Sequence, residues 1–94
     1  MIIQMEILGM PTLAGMIGRK AEVEITGGTV RDLIEFFTRK YGAKASAQLL
    51  NERGDLDMTI QVVINDHLLP REELARHELR DGDRLKFMLL VGGG

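Results

Sequence analysis

The chain contains no cysteine, which excludes disulfides, thiolate-held zinc, iron–sulfur clusters and cysteine nucleophiles together. Tryptophan is also missing, and three Phe and one Tyr are the only aromatic residues. That is too few for the stacking platforms on which single-stranded nucleic acid is held. Neither sign of charge dominates: 12 Lys and Arg stand against 14 Asp and Glu, for a formal net charge of -2. With the signs interspersed there is no field to condense on a phosphate backbone, and nucleic acid is not an expected partner. Apolar runs reach only a handful of residues, far below the roughly 20 that span a bilayer. The Met1-Ile2-Ile3 start leads to Glu6 without a basic leader, so no membrane association is expected and the chain reads as cytoplasmic.

What is present suffices for one small domain: 94 residues, 45% of them hydrophobic and 28% charged, enough for a single core without staples. Ile3, Met5 and Ile7 alternate with Gln4, Glu6 and Leu8, the period of a strand with one face inward. Gly9 ends it, and residues 10–18 are so rich in Gly and Pro that they are expected to form an irregular hairpin connection, with Leu13, Met16 and Ile17 partly exposed. Alternation returns in Ala21, Val23 and Ile25 and stops at Thr26-Gly27-Gly28, giving a second strand antiparallel to the first. Thr29 stands three residues before Asp32, a capping box with the shorter acid, and opens a helix whose stripe is Val30, Leu33, Ile34, Phe37 and Tyr41. Arg39 and Lys40 suit its carboxyl end, and Gly42 is its expected left-handed stop.

Residues 43–59 read as a variable connection, in which Ala43, Ala45, Ala47, Leu49 and Leu50 suit either a short helical or an irregular piece and Asn51–Asp55 a turn. Ile60, Val62 and Ile64 then mark a strand that turns at Asn65-Asp66. Pro70 precedes a short helical or 3₁₀ turn at Arg71–Leu74, and Asp81-Gly82-Asp83 is a tight turn. A last strand carries Leu85, Phe87 and Leu89 on one face and Arg84, Lys86 and Met88 on the other, placed to pair in parallel with the first. The order predicts an α+β domain, a mixed sheet packed on one main helix, over residues 1–91, followed by a flexible glycine tail at 92–94.

Most candidate chemistry fails on inspection. Gly92-Gly93-Gly94 has no following helix, lysine or hydroxyl residue and is no phosphate loop, and Gly27-Gly28 has only two glycines. His67 and His77 are alone as possible zinc ligands, so no metal is expected. Asp81 and Asp83 bracket a glycine and read as turn residues. Two features remain. Leu8, Val63, Leu69 and Met88 are expected on the sheet face away from the helix, where an uncovered apolar surface can dock a partner. Beyond it, Gly92, Gly93 and Gly94 offer a carboxylate on a strand without side chains, which can be threaded into a narrow active site.

The run Asn65-Asp66-His67-Leu68-Leu69-Pro70-Arg71-Glu72-Glu73-Leu74, then Leu79-Arg80-Asp81-Gly82-Asp83-Arg84-Leu85, Phe87 and Val91-Gly92-Gly93-Gly94, resembles the ubiquitin-like sulfur carriers. That family includes the thiamine-biosynthesis carrier and the small subunit of molybdopterin synthase. The resemblance implies a β-grasp fold and activation of Gly94 by an E1-like adenylyltransferase that consumes ATP. It further implies a terminal thiocarboxylate, made with a sulfur donor protein and spent on a sulfur-accepting synthase, with no cofactor bound by the carrier itself. Leu68–Glu72 and Leu79–Asp83 are more similar to the thiamine carrier, whereas residues 9–19, 43–59 and the overall length are more similar to the molybdopterin synthase subunit. Two other readings stay open: a modifier conjugated through Gly94, and a small interaction domain that does no chemistry.

Overall fold

The structure, a computed structural model, describes residues 1–89; the expected 92–94 tail and the end of the 1–91 domain lie outside the described residues. Strand β1 (Ile2–Leu8) is followed by α1 (Pro11–Ile17), β2 (Lys20–Glu24), α2 (Val30–Tyr41), α3 (Ala43–Leu49), β3 (Ile60–Ile64), β4 (His67–Leu69), a 3₁₀ turn at Arg71–Glu73, and β5 (Arg84–Leu89). The strands form one sheet in the order β2-β1-β5-β3-β4. At its centre β1 and β5 run parallel, with Met5 opposite Leu85 and Ile7 opposite Phe87, while β1–β2, β3–β5 and β3–β4 are antiparallel. A mixed sheet with its main helix on one face, and its first and last strands side by side, is the β-grasp fold.

Alternation along the strands decides which face is covered. Ile3, Met5, Ile7, Leu85, Phe87, Ile60, Val62 and Ile64 are buried on one face against Val30, Leu33, Ile34 and Phe37 of α2. The capping box forms as the sequence predicts: the Asp32 amide donates to Thr29 Oγ1 at 3.3 Å and the Thr29 amide to Asp32 Oδ2 at 2.9 Å. Such a cap is worth about 1 kcal/mol. Gly42 stops the helix at φ 74°, and Asn65 and Asp66, both at positive φ, make the two-residue turn of a primed hairpin.

One connection differs from expectation, and a second takes one of the two forms the sequence leaves open. Residues 11–17 form a helix, not an irregular loop, because Pro11 sits in the first turn, where its missing N–H is no loss. Leu13, expected partly exposed, is 0% exposed and anchors α1 to the core, with Met10 buried beside it; Met16 and Ile17 are half-buried. Burial of one face overrides the poor helix propensity of Gly15. The variable 43–59 stretch begins with α3, whose Ala45 and Leu49, four apart, are both buried. The turn that follows is held by Asn51 Oδ1, which accepts from the amides of Arg53 at 2.9 Å and Asp55 at 3.1 Å.

Candidate functional site

Strand β5 is the last described strand and lies at the centre of the sheet, so its two ends define what the sheet presents. At the Arg84 end, side chains lock three strands together. Asp83, 9% exposed, accepts from Asn65 Nδ2 on Oδ1 at 3.0 Å and from the Arg80 amide on Oδ2 at 2.8 Å. Asn65 Oδ1 accepts in turn from the Arg84 amide at 2.9 Å. Asp81 Oδ1 accepts from the Ile2 amide at 2.6 Å, and the Gly82 amide donates to the Ile2 carbonyl. The two aspartates are therefore turn residues that also join β1, β5 and the β3–β4 hairpin. They stand at the Arg84 end of β5, where their carboxylates are taken up by donors of the fold.

At the Leu89 end the surroundings are backbone and apolar side chains. Leu89 lies opposite Ile60, and a Cβ added to Gly9 would sit 3.3 Å from the Leu89 carbonyl oxygen. Gly9, at φ 74°, thus allows the β1–α1 corner to close over the last described turn of β5.

The sheet face away from the helices grades between these ends. Its far row is polar, with Gln4 beside Glu22 at 3.1 Å and Arg84 reaching Asp66 at 3.1 Å. In the middle row Glu6 lies opposite Lys86, with 3.9 Å between Oε1 and Nζ, and Lys86 lies opposite Val63. The row nearest Leu89 pairs Leu8 with Met88, with Gln61 on the other side of Met88. The Arg84–Asp66 pair is exposed and the Glu6–Lys86 pair half-buried at a long 3.9 Å, so neither contributes much to stability; their consequence is a polar field running into an apolar edge beside Leu89.

Of the four residues expected to share this face, Leu8, Val63 and Met88 do, each half-buried. Leu69 does not. It lies opposite the buried Val62 and packs against the core from the helix side; the Asn65-Asp66 turn sets the register, and a shift of one residue exchanges the faces. Leu68, opposite Val63, takes the outer position and is 58% exposed. Gly92, Gly93 and Gly94 lie outside the described residues.

Sequence reasoning missed the loop before β3. Arg71 donates through Nη1 to the Leu56 carbonyl at 3.0 Å, and through Nη2 to the carbonyls of Asp57 and, at 3.5 Å, Ile60. This loop and α2 enclose an open cavity of ≈ 600 Å³ lined by Ile34, Leu50, Leu56, Arg71 and Leu74 among others. The available signal was the pair Leu50 and Leu56 flanking a polar turn, which the structure joins as an isolated bridge. His67 is exposed on β4 and His77 half-buried after the 3₁₀ turn; among the described residues no cluster of three or more His, Asp or Glu side chains is placed to hold a metal. No described helix is long and apolar enough to cross a membrane.

A family model described as the ThiS family matches residues 11–94. No curated protein sequence matches. Among solved structures, SAMP1 from Haloferax volcanii is similar with a TM-score of 0.77 and 22% identity over 100% of both chains. A protein named as molybdopterin converting factor, subunit 1, from Pyrococcus furiosus gives 0.68 and 22% over 96% of this chain and 98% of its own. The thiamine biosynthesis protein ThiS from Geobacter metallireducens gives 0.51 and 18% over 97% and 99%.

Proposed function

Since the chain belongs to the ThiS family, we propose that it is a sulfur carrier whose Gly94 carboxylate is activated and thiolated by partner enzymes. A Gly94 carboxylate oxygen attacks the α-phosphorus of ATP held by an E1-like adenylyltransferase, and pyrophosphate leaves. Sulfide attacks the resulting acyl-adenylate at the carbonyl carbon, AMP departs with the bond's electron pair, and a thiocarboxylate remains. If the donor protein supplies a persulfide instead, attack gives an acyl disulfide, which a second thiol opens to the same product. The thiocarboxylate then gives its sulfur to an accepting synthase, of thiazole or molybdopterin type. The reading places the activity in the cytoplasm, where ATP is supplied.

The observation that carries the reading is the family match running through Gly94, joined to a sequence in which β5 is followed, after Leu90 and Val91, by three residues without side chains. Glycine leaves room for the chain in a narrow cleft, and the apolar Leu8–Met88 edge with Val63 supplies a docking surface next to it. Intact mass after incubation with ATP, the adenylyltransferase and sulfide is expected to show one oxygen replaced by sulfur. No mass change with any adenylyltransferase encoded in the same genome refutes it.

A modifier conjugated through Gly94 is the second reading. The favouring observation is the SAMP1 likeness, 0.77 over both whole chains against 0.51 for the thiamine protein; a related H. volcanii structure is described as small archaeal modifier protein 1. Both readings share the adenylate. They separate at the product, since a modifier yields covalent adducts on lysines of other proteins whereas a carrier yields a thiocarboxylate that turns over.

A further inference from the structure

Strand β4 is only three residues long and pairs with Val62–Ile64 alone. The first residue of β3, Ile60, therefore has no ladder partner on that side, although it is opposite Leu89 on the other. Unpaired backbone groups at a partly covered strand end must find partners or lose stability. Ile60 finds two: its amide donates to the Asp57 carbonyl at 3.0 Å, and its carbonyl accepts from Arg71 Nη2.

The guanidinium does more than cap one group. It also takes the carbonyls of Leu56 and Asp57, while the Asp57 amide donates to the Leu49 carbonyl at 2.8 Å and Asp57 Oδ1 accepts from the Thr59 amide at 2.9 Å and from its hydroxyl. Arg71 itself is half-buried and is held by its turn, with the Leu74 amide donating to the Arg71 carbonyl at 3.1 Å. One planar fork thus ties the end of α3, the 56–59 loop and the start of β3 to the turn after β4. A planar guanidinium suits several fixed carbonyls at once, which a lysine ammonium on a flexible stem does not.

We infer that Arg71 is a positioning residue for the carboxyl-terminal reaction, fixing the β3 start against which the Leu89 end of β5 is registered and so the point from which the glycines are offered to a partner. The functional half rests on the sulfur-carrier reading above; the structural half does not. If the β3 start loosens, the root of the chain's end wanders, and a reacting carboxylate displaced by about 1 Å loses up to a hundredfold in rate.

The test compares Arg71→Met and Arg71→Lys with the unmodified full-length chain. In Arg71→Met, hydrogen exchange at the Ile60 amide and along 87–89 should accelerate about ten- to a hundredfold, the factor that one charge-assisted hydrogen bond is worth. Exchange in α2 should follow only the global change in stability. With ATP, adenylyltransferase and sulfide, well below the melting temperature, kcat for thiocarboxylate formation should fall about tenfold or more, with KM for the carrier little changed and Arg71→Lys intermediate. Unchanged Ile60 and 87–89 protection in Arg71→Met overturns the inference. So does faster local exchange with kcat unaltered, since the clamp is then structural only. If the unmodified chain is not thiolated at all, the carrier reading fails, and the exchange data still decide whether Arg71 fixes the end of β5.

Discussion

Replacing Asp83 by alanine tests whether the stretch that carries the family resemblance does chemistry or holds the fold. The substitution removes the acceptor of Asn65 Nδ2 and of the Arg80 amide at a site only 9% exposed. Each donor stranded in such a place costs about 1–3 kcal/mol, and partial rehydration at this rim discounts the sum to about 2–4 kcal/mol. For a domain near this size, 4–8 °C per kcal/mol turns that into a fall in melting temperature of roughly 8–30 °C. Urea denaturation supplies the free energy and calorimetry the temperature. Asn65→Ala should couple to it in a double-mutant cycle by about 1 kcal/mol or more, because both partners belong to one network. The same variant, assayed where it is folded, should be thiolated with unchanged kcat/KM, since the network stands at the far end of β5. A stability loss under about 0.5 kcal/mol, the range of ordinary surface changes, refutes the structural role. Lost activity with intact stability refutes the assignment of these carboxylates to the fold.

Three further perturbations separate the other parts. Leu13→Ala should cost about 2–5 kcal/mol in urea denaturation, because Leu13 is fully buried; a loss below 1 kcal/mol means that α1 does not pack as described. The Thr59 hydroxyl and amide, with Arg71 nearby, hold the Asp57 carboxyl below its ordinary value of 3.8. A depressed folded-state pKa contributes stability that is present above the ordinary value and is lost as pH falls through the folded one. Melting temperature should thus drop more below pH 3.8 in the unmodified chain than in Asp57→Asn, and parallel curves refute the assignment. Met88→Asp, on the outer face beside Leu8, should shift stability by no more than about 1 kcal/mol and raise the KM for the carrier in the adenylation assay, whereas an unchanged KM removes that edge from the docking surface.

The strands and the capped helix were legible because each obeys a local rule that tertiary contacts reinforce. Ile3, Met5 and Ile7 alternate and are all buried, and Thr29 and Asp32 make both bonds of the box. Helix α1 was not legible, since Pro11 and Gly15 read as breakers until the burial of Leu13 is known. The face of Leu69 is not legible in the sequence because no period survives in a three-residue strand, and only the pairing of Val62 with Leu69 settles its side. The Arg71 clamp was invisible for another reason: its acceptors are carbonyls, which carry no sequence signature and are brought together by chain segments 11 to 15 residues away.

The position of β5 also explains how a chain end can be worked upon without undoing the fold. An edge strand is held by one ladder and peels when its end is drawn into a partner's cleft, whereas β5 is hydrogen-bonded to β1 on one side and β3 on the other. Its inward residues Leu85 and Phe87 are 0% exposed, so freeing it opens the core, at a cost close to that of global unfolding. Pulling on residues beyond Leu89 therefore meets a fixed anchor. The amides of Leu85 and Lys86 should accordingly exchange among the slowest in the protein, at the rate set by global unfolding. Exchange there as fast as in the edge strand β2 would show that the anchor yields and that the sheet does not hold the chain end in place.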